Sequence, residues 1–277
     1  MLRGLYTAGA GMISQQRNQE MLSNNIANVN TPGFKADQGS LRTFPNMLIQ
    51  AMGTDHQFPG RRSPVIGELA TGVYMQERTP NFRQGDLMET TNSTDIALLQ
   101  GETPIDEESG LPGMLAFQIQ NDDGDIRYTR NGDFTVDSDG FLTMGTGHYV
   151  LDTDGAPIEV GNEDFRVNQS GEIFTDDADE VFLGQIDIML IPDPGLLVKE
   201  GSGFLRYDGD EAIASAIGND DVLYQLQQGY LERSNVDAGQ TMTQMMAALR
   251  NFEANQKVLQ AYDQSLERAV NDIGRIR

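Results

Sequence analysis

The residues of this chain that could do chemistry are carboxylates set in turns. The stretches NDDGDI from Asn121, VDSDGF from Val136 and DTDGAP from Asp152 each crowd acids around a glycine, as a calcium loop would. An EF-hand places oxygen ligands at fixed intervals, glycine sixth and glutamate twelfth. In these stretches glycine comes too early, so they read instead as hairpin turns. Asp106 with Glu107, and Asp176 with Asp177, invite a hydrolytic reading. Sequence neighbours rarely face one cleft, however, and glycoside hydrolysis needs two carboxyls held across a sugar. Nothing among 42 acidic residues singles out a pair.

The other reactive types are scarce. Cysteine is absent, which removes thiolate nucleophiles, disulfides and thiolate metal sites. His56 lies in a linker-like segment and His148 beside an expected strand, and neither receives a role. No phosphate-binding glycine loop, G-x-S-x-G or HExxH occurs, so the expectation is no enzyme and no cofactor.

Charge is distributed unevenly. Residues 1–44 carry four basic and two acidic side chains and residues 235–277 five of each, whereas residues 45–234 carry ten basic and 35 acidic. The whole net charge of -23 therefore belongs to the middle. Such a body repels nucleic acid and anionic headgroups, both of which are bound through Lys and Arg. No window approaches the roughly 18 apolar residues of a membrane span, and no apolar leader opens the chain, so neither membrane insertion nor a cleaved signal peptide is expected.

The nearly neutral ends are helical in pattern. Met245, Phe252, Leu259, Leu266 and Ile273 recur every seven residues, with Met242, Leu249, Tyr262, Ala269 or Val270, and Ile276 between them. Ser234 or Asn235 can cap this helix, with Asp237 in its first turn. At the other end Leu5, Ala8, Met12, Gln15, Gln19, Leu22, Ile26 and Val29 form a weaker stripe. Thr31-Pro32-Gly33-Phe34 then places Pro and Gly at the centre of a type II turn. Both stripes want a partner, and the simplest arrangement pairs them with each other.

Between the helices, Asp123-Gly124, Asp139-Gly140, Asp154-Gly155 and Ser170-Gly171 are spaced by 16, 15 and 16 residues, with Asn131-Gly132 and Gly147 roughly midway in two intervals. Turns this frequent mean short antiparallel strands. DFTVDSDGFLT from Asp133 repeats faintly as DFRVNQSGEIFT from Asp164, offset by 31 residues. The expected fold is α+β, a mainly antiparallel β body with long N- and C-terminal helices pairing as a coiled coil. Its parts are an N-terminal helix and Asn-rich turn (1–35), an extended connector (36–85) containing TDHQFPGRRSP, an all-β domain (86–230) and a C-terminal heptad helix (231–277).

LYTAGAGMISQQRNQEMLSNNIANVNTPGFK and LERSNVDAGQTMTQMMAALRNFEANQKVLQAYDQSL resemble the two terminal signatures of bacterial flagellar rod and hook axial proteins. FRQGDLMETTNSTDIALL and YTRNGDFTVDSDGFL are similar to that family's β segments, with a short body closer to a basal-body rod protein than to the larger hook protein. After Asp95-Ile96-Ala97-Leu98 the family commonly runs into a Gly-rich stretch, where this chain reads LQGETPIDEESG.

The resemblance implies a structural subunit that self-assembles through paired terminal helices into the torque-transmitting axial shaft of the basal body. Its implied partners are further copies of itself and other rod and hook subunits, and it would be exported by the flagellar secretion apparatus. The expected assembly residues are Leu5, Met12, Leu22, Asn25, Ile26, Asn28, Asn30, Pro32, Gly33, Phe34, Ser234, Asn235, Val236, Asp237, Met245, Leu249, Phe252, Asn255, Leu259, Tyr262, Leu266 and Ile273. Asn24, Asn25, Asn28 and Asn30 either fix helix register across an interface or cap and solvate a fraying end. The competing reading is an acidic β-domain carbohydrate-binding or hydrolytic protein with a dimerising stalk.

Overall fold

The computed structural model describes residues 2–45, 47–50, 65–106, 110–121, 124–176, 180–209 and 212–273. TDHQFPGRRSP and its His56 lie outside the described residues, as do Glu107 and Asp177. The fold is α+β, with mostly antiparallel strands between an N-terminal helix, α1 (Leu2–Ala27), and a C-terminal helix, α2 (Ala238–Ile273). The chain divides into two compact units, 1–26 with 37–79 and 238–277, and 27–36 with 80–237.

In the helical unit, α2 runs 36 residues without proline, about 54 Å at about 1.5 Å per residue. The segment after α1, expected to be an extended connector, is a paired ribbon. Asp37–Thr43 pairs with Val73–Pro80, and Met47–Gln50 runs antiparallel to Val65–Leu69. Its attachment to α1 explains its place in this unit. Ser14 Oγ donates to Val73 O at 2.8 Å, Thr7 Oγ1 donates to Thr71 O at 3.1 Å, and a Cβ at Gly72 would lie 3.1 Å from the Ala10 methyl. Small and hydroxylic residues on α1 allow that approach.

The β unit is built around Met114–Gln120, whose first six residues are all buried. Alternation splits them between two cores, as a strand covered on both faces requires. Leu115, Phe117 and Ile119 join the main core with Phe134, Leu142, Ile173 and Ile188, while Met114 and Ala116 join Tyr128, Met189, Ile191, Leu197 and Leu205. Phe117 and Phe134 meet edge to face at 5.3 Å.

The turns share one geometry. In the segments beginning at Asn121, Asp137, Met144, Asp152 and Asn168, the first residue's N–H donates to the carbonyl four residues on, and a glycine three residues on donates back. Each of these glycines has φ between +74° and +91°, as a type I turn closed by a left-handed residue demands. The internal repeat is therefore physical. Phe134–Val136 pairs with Leu142–Met144 as Phe165–Val167 pairs with Glu172–Thr175, both Phe134 and Phe165 facing the core.

Asn131-Gly132 differs from expectation, because it closes no hairpin. Gly132 accepts the Ile96 N–H, and a Cβ there would fall 1.7 Å from Ile96 O, so glycine permits two backbones to touch. Phe134→Ala should destabilise the β unit by about 3–5 kcal/mol, measured by calorimetric unfolding, since a fully buried ring in a two-sided core leaves a cavity that neighbours fill poorly.

Candidate assembly interface

Within the helical unit the buried and half-buried positions of α2 are Thr241, Met245, Ala248, Phe252, Asn255, Leu259, Tyr262, Leu266 and Ala269, alternating by four and three. On α1 the same alternation runs through Gly4, Ala8, Gly11, Gln15, Asn18, Leu22 and Asn25. The two helices touch in antiparallel sense. A Cβ at Gly4 would meet Tyr262, one at Gly11 would meet Asn255, and Met21 and Leu22 pack against Met245 and Met75. Leu5, Met12 and Ile26 flank this contact, each half-buried.

Two expectations for these faces are corrected. The intermediate positions of the α2 stripe are taken by Ala248 and Thr241, while Leu249 and Met242 point outward at 42% and 52% exposure. The buried face of α1 includes Gly11, Ser14 and Met21, none of which belongs to the expected stripe. Turned outward as well are Tyr6 and Ile13 on α1, and Met246 beside Met242 and Leu249 on α2. The side chain of Ile273 lies outside those described.

Asn25 is buried and makes two hydrogen bonds with one residue. Its Nδ2 donates to Asp37 O and its Oδ1 accepts from Asp37 N, both at 2.9 Å. An amide used this way replaces a strand partner for the first residue of the ribbon, so Asn25 does not reach across to another helix. Asn28 Oδ1 accepts from Thr31 Oγ1 at 3.2 Å, and Asn24 and Asn30 are exposed.

In the β unit the turn following α1 forms as expected. Phe34 N donates to Thr31 O at 3.3 Å around Pro32 and Gly33, and Gly33 has φ +68°. Gly33 is doubly constrained, because a Cβ there would also lie 2.4 Å from the Arg130 carbonyl carbon. Its N–H donates to Glu232 O at 2.8 Å, and Pro32 and Asn30 line a cavity of about 190 Å³ with Met88 and Leu231.

Beside this turn lies a buried ionic cluster. The Glu232 carboxylate accepts from Lys35 Nζ and Gly85 N through Oε1, and from Arg130 through Oε2, with Nη2 at 2.8 Å and Nε at 3.0 Å. Lys35 also donates to Arg83 O, and Arg130 to the Leu98 and Leu115 carbonyls. Lys199 donates to Lys35 O and sits 4.4 Å from the Phe34 ring centroid.

Asn235 completes the arrangement. Its Oδ1 accepts from Ala36 N, and its Nδ2 donates to Asn81 O and Arg83 O. Asn235 is thus committed to neighbouring strands and does not cap α2, which begins at Ala238. Ser234 Oγ instead accepts from Val236 N, Val236 is buried, and Asp237 directly precedes the first helical residue rather than lying in its first turn.

Burial lowers the Lys35 ammonium to about 8, helped by the Arg130 charge and opposed by Glu232. Burial alone would raise the Glu232 carboxyl, but the charges of Arg130 and Lys35 and the bonds from Lys35 and Gly85 prevail and hold it below its ordinary range. The cluster was not foreseen from the sequence. Lys35, Arg130 and Glu232 are far apart along the chain, and the only local hint was charged residues embedded in otherwise apolar or turn-forming motifs.

His148 stacks on Phe204 at 4.5 Å, and Ser138 N and Thr153 N bond the acids preceding them in the turns. Among the described residues no three His, Cys, Asp or Glu side chains converge as a metal site would need.

Fold and site define a two-unit α+β protein whose chain ends form a helical unit and whose acidic middle forms an antiparallel β unit. Three family models match it: "Flagella basal body rod protein" over residues 5–35, "Flagellar hook protein FlgE/F/G D1 domain" over 113–181 and "Flagellar basal body rod FlgEFG protein C-terminal" over 227–272. The chain is 45% identical to the flagellar hook-basal body complex protein FlhO of Bacillus subtilis over the full length of both. It is 31% identical to the flagellar basal-body rod protein FlgG of that species, covering 98% of this chain and 99% of the relative. The FlgG of Borreliella burgdorferi is 30% identical, with 98% of each covered. The chain belongs to the flagellar basal-body rod protein family.

Glu232→Gln should cost about 3–5 kcal/mol at neutral pH, because it leaves two buried cations short of their counter-charge. Since the folded carboxyl is depressed, its contribution is present above about 4.5 and is lost as pH falls through and below that value. The stability gap between the two proteins, followed by thermal melting, should narrow on acidification. Lys35 works in the opposite window: between about 8 and 10.5 its earlier deprotonation in the folded state adds stability as pH rises. Asn25→Ala should cost about 1–3 kcal/mol by stranding the Asp37 backbone groups, and hydrogen exchange at the Asp37 amide should accelerate with it.

Proposed function

We propose that this protein is a structural subunit of the bacterial flagellar basal-body rod, built into an axial shaft through its terminal helices. The observation that carries the reading is the helical unit itself. Two nearly neutral helices contact each other along one face and still expose Tyr6, Ile13, Met242, Met246 and Leu249 on others. Apolar side chains in that number on long helices fit burial against further subunits. The terminal family matches, residues 5–35 and 227–272, include most of both helices.

In this reading α1 and α2 pair as a coiled coil, and copies of the pair pack against one another and against other rod and hook subunits. Residues 1–35 and 231–277 serve as the assembly domain and the β body transmits load without a catalytic step. The residues contributing to assembly are the outward stripes together with the half-buried flank of Leu5, Met12 and Ile26. Export follows the flagellar secretion route. The surplus negative charge of the body disfavours close approach between β domains of like copies at low salt, which leaves the neutral helices as the adhesive part.

The test compares the intact chain with one lacking residues 1–27 by sedimentation and electron microscopy under polymerising conditions. The intact chain should form filaments while the trimmed chain remains a folded monomer. Filaments from the trimmed chain would overturn the assembly reading.

A further inference from the structure

The α2 contact stripe repeats every seven residues with broadly interchangeable apolar groups, so its periodicity alone would accept α1 in several positions one heptad apart. Something must select among them. Three glycines lie in the first turns of α1, each weakening the helix by roughly 1 kcal/mol relative to alanine. Only two have a packing reason. A Cβ at Gly9 would meet nothing within 4 Å, whereas one at Gly4 would fall 2.1 Å from the Tyr262 hydroxyl and one at Gly11 would fall 2.9 Å from the Asn255 amide nitrogen. Gly4 and Gly11 are seven residues apart, and so are Asn255 and Tyr262.

We propose that Gly4 and Gly11 of α1, covered by Tyr262 and Asn255 of α2, form a register lock that excludes heptad-slipped pairings of the two helices. A slip of seven residues in one direction brings Tyr262 over Gly11 and leaves Gly4 facing Ala269. In the other direction it brings Asn255 over Gly4, leaves Gly11 facing Ala248 and carries Tyr262 beyond the start of α1. Each slipped state opens a gap beside one glycine, and only the observed register covers both with long side chains. The partly polar tips matter too, since Tyr262 and Asn255 are the polar members of the stripe between Met245 and Ala269, where a misplaced polar group is costly. The lock thereby fixes which outward residues of α1 lie level with those of α2.

This inference rests on the helix pairing proposed above, and the test separates the two. The chain lacks cysteine, so engineered pairs report cleanly. Gly11→Cys/Asn255→Cys probes the observed register, since a Cβ at Gly11 would lie 3.4 Å from the Asn255 Cγ, about where a cysteine sulfur at 255 would sit. Ala8→Cys/Leu266→Cys probes the seven-residue slip with all four lock residues intact. In dilute oxidised monomer the first pair should crosslink and the second should not, and adding Asn255→Ala to the second pair, which leaves one covered glycine in either register, should raise its yield severalfold. Gly9→Ala should change neither. Equal crosslinking by both pairs, or a slip pair that stays silent after Asn255→Ala, would overturn the lock while leaving the pairing standing. Failure of both pairs, with α2 still helical by circular dichroism, would overturn the pairing itself.

Discussion

A carboxylate with less than a tenth of its surface exposed, paired with two cations, is the constraint on which the β unit's organisation at the start and end of its chain depends. Glu232 accepts from Lys35, Arg130 and Gly85, and its own carbonyl accepts from Gly33. Segments that are neighbours in space but distant in sequence are held by one side chain. Such a cluster adds little net stability compared with an apolar replacement, because burying charge costs several kcal/mol per ion. Its value is in geometry: a carboxylate in this site is satisfied only when all its donors are in place, so the segments carrying them have one arrangement.

Asn235 and Asn25 extend the same principle with neutral groups. Each sets an amide against backbone groups, Asn235 against Ala36 N, Asn81 O and Arg83 O, and Asn25 against the N–H and carbonyl of Asp37. An amide donates from one atom and accepts at another, as a backbone edge does, so it can stand in for a missing strand where a carboxylate could only accept. The unusual density of asparagine near the end of α1 thus serves more than one purpose: Asn25 secures the ribbon, Asn28 engages Thr31, and Asn24 and Asn30 face solvent.

The helical unit follows a different logic from the β unit. In the β unit, alternation in Met114–Gln120 supplies two apolar cores, and five turns of one geometry keep the strands short and antiparallel. In the helical unit Tyr262 and Asn255 of α2 cover Gly4 and Gly11 of α1, the ribbon fastens to α1 through serine and threonine hydroxyls, and Tyr6, Ile13, Met242, Met246 and Leu249 are left outside. A unit that stays this apolar outside is consistent with burial completed by assembly rather than by folding alone.

Local patterns were enough to read the elements. The seven-residue recurrence in α2, the Pro32-Gly33 turn with its left-handed glycine, the hairpin glycines and the repeat at Asp133 and Asp164 all depend on interactions within a few residues, which periodicity and turn chemistry record directly. Partners chosen across the chain were not legible. Nothing near Lys35 indicates Glu232, and nothing near Asn235 shows that its amide is needed at Asn81 rather than at the helix start. The α2 stripe could be assigned to Ala248 rather than Leu249 only once α1 was in place, because a heptad pattern does not say which neighbouring residue meets a partner. Sequence by itself determined elements, turns and charge distribution; tertiary structure decided pairing, register and the buried charges, since those energies arise only when distant groups leave water together.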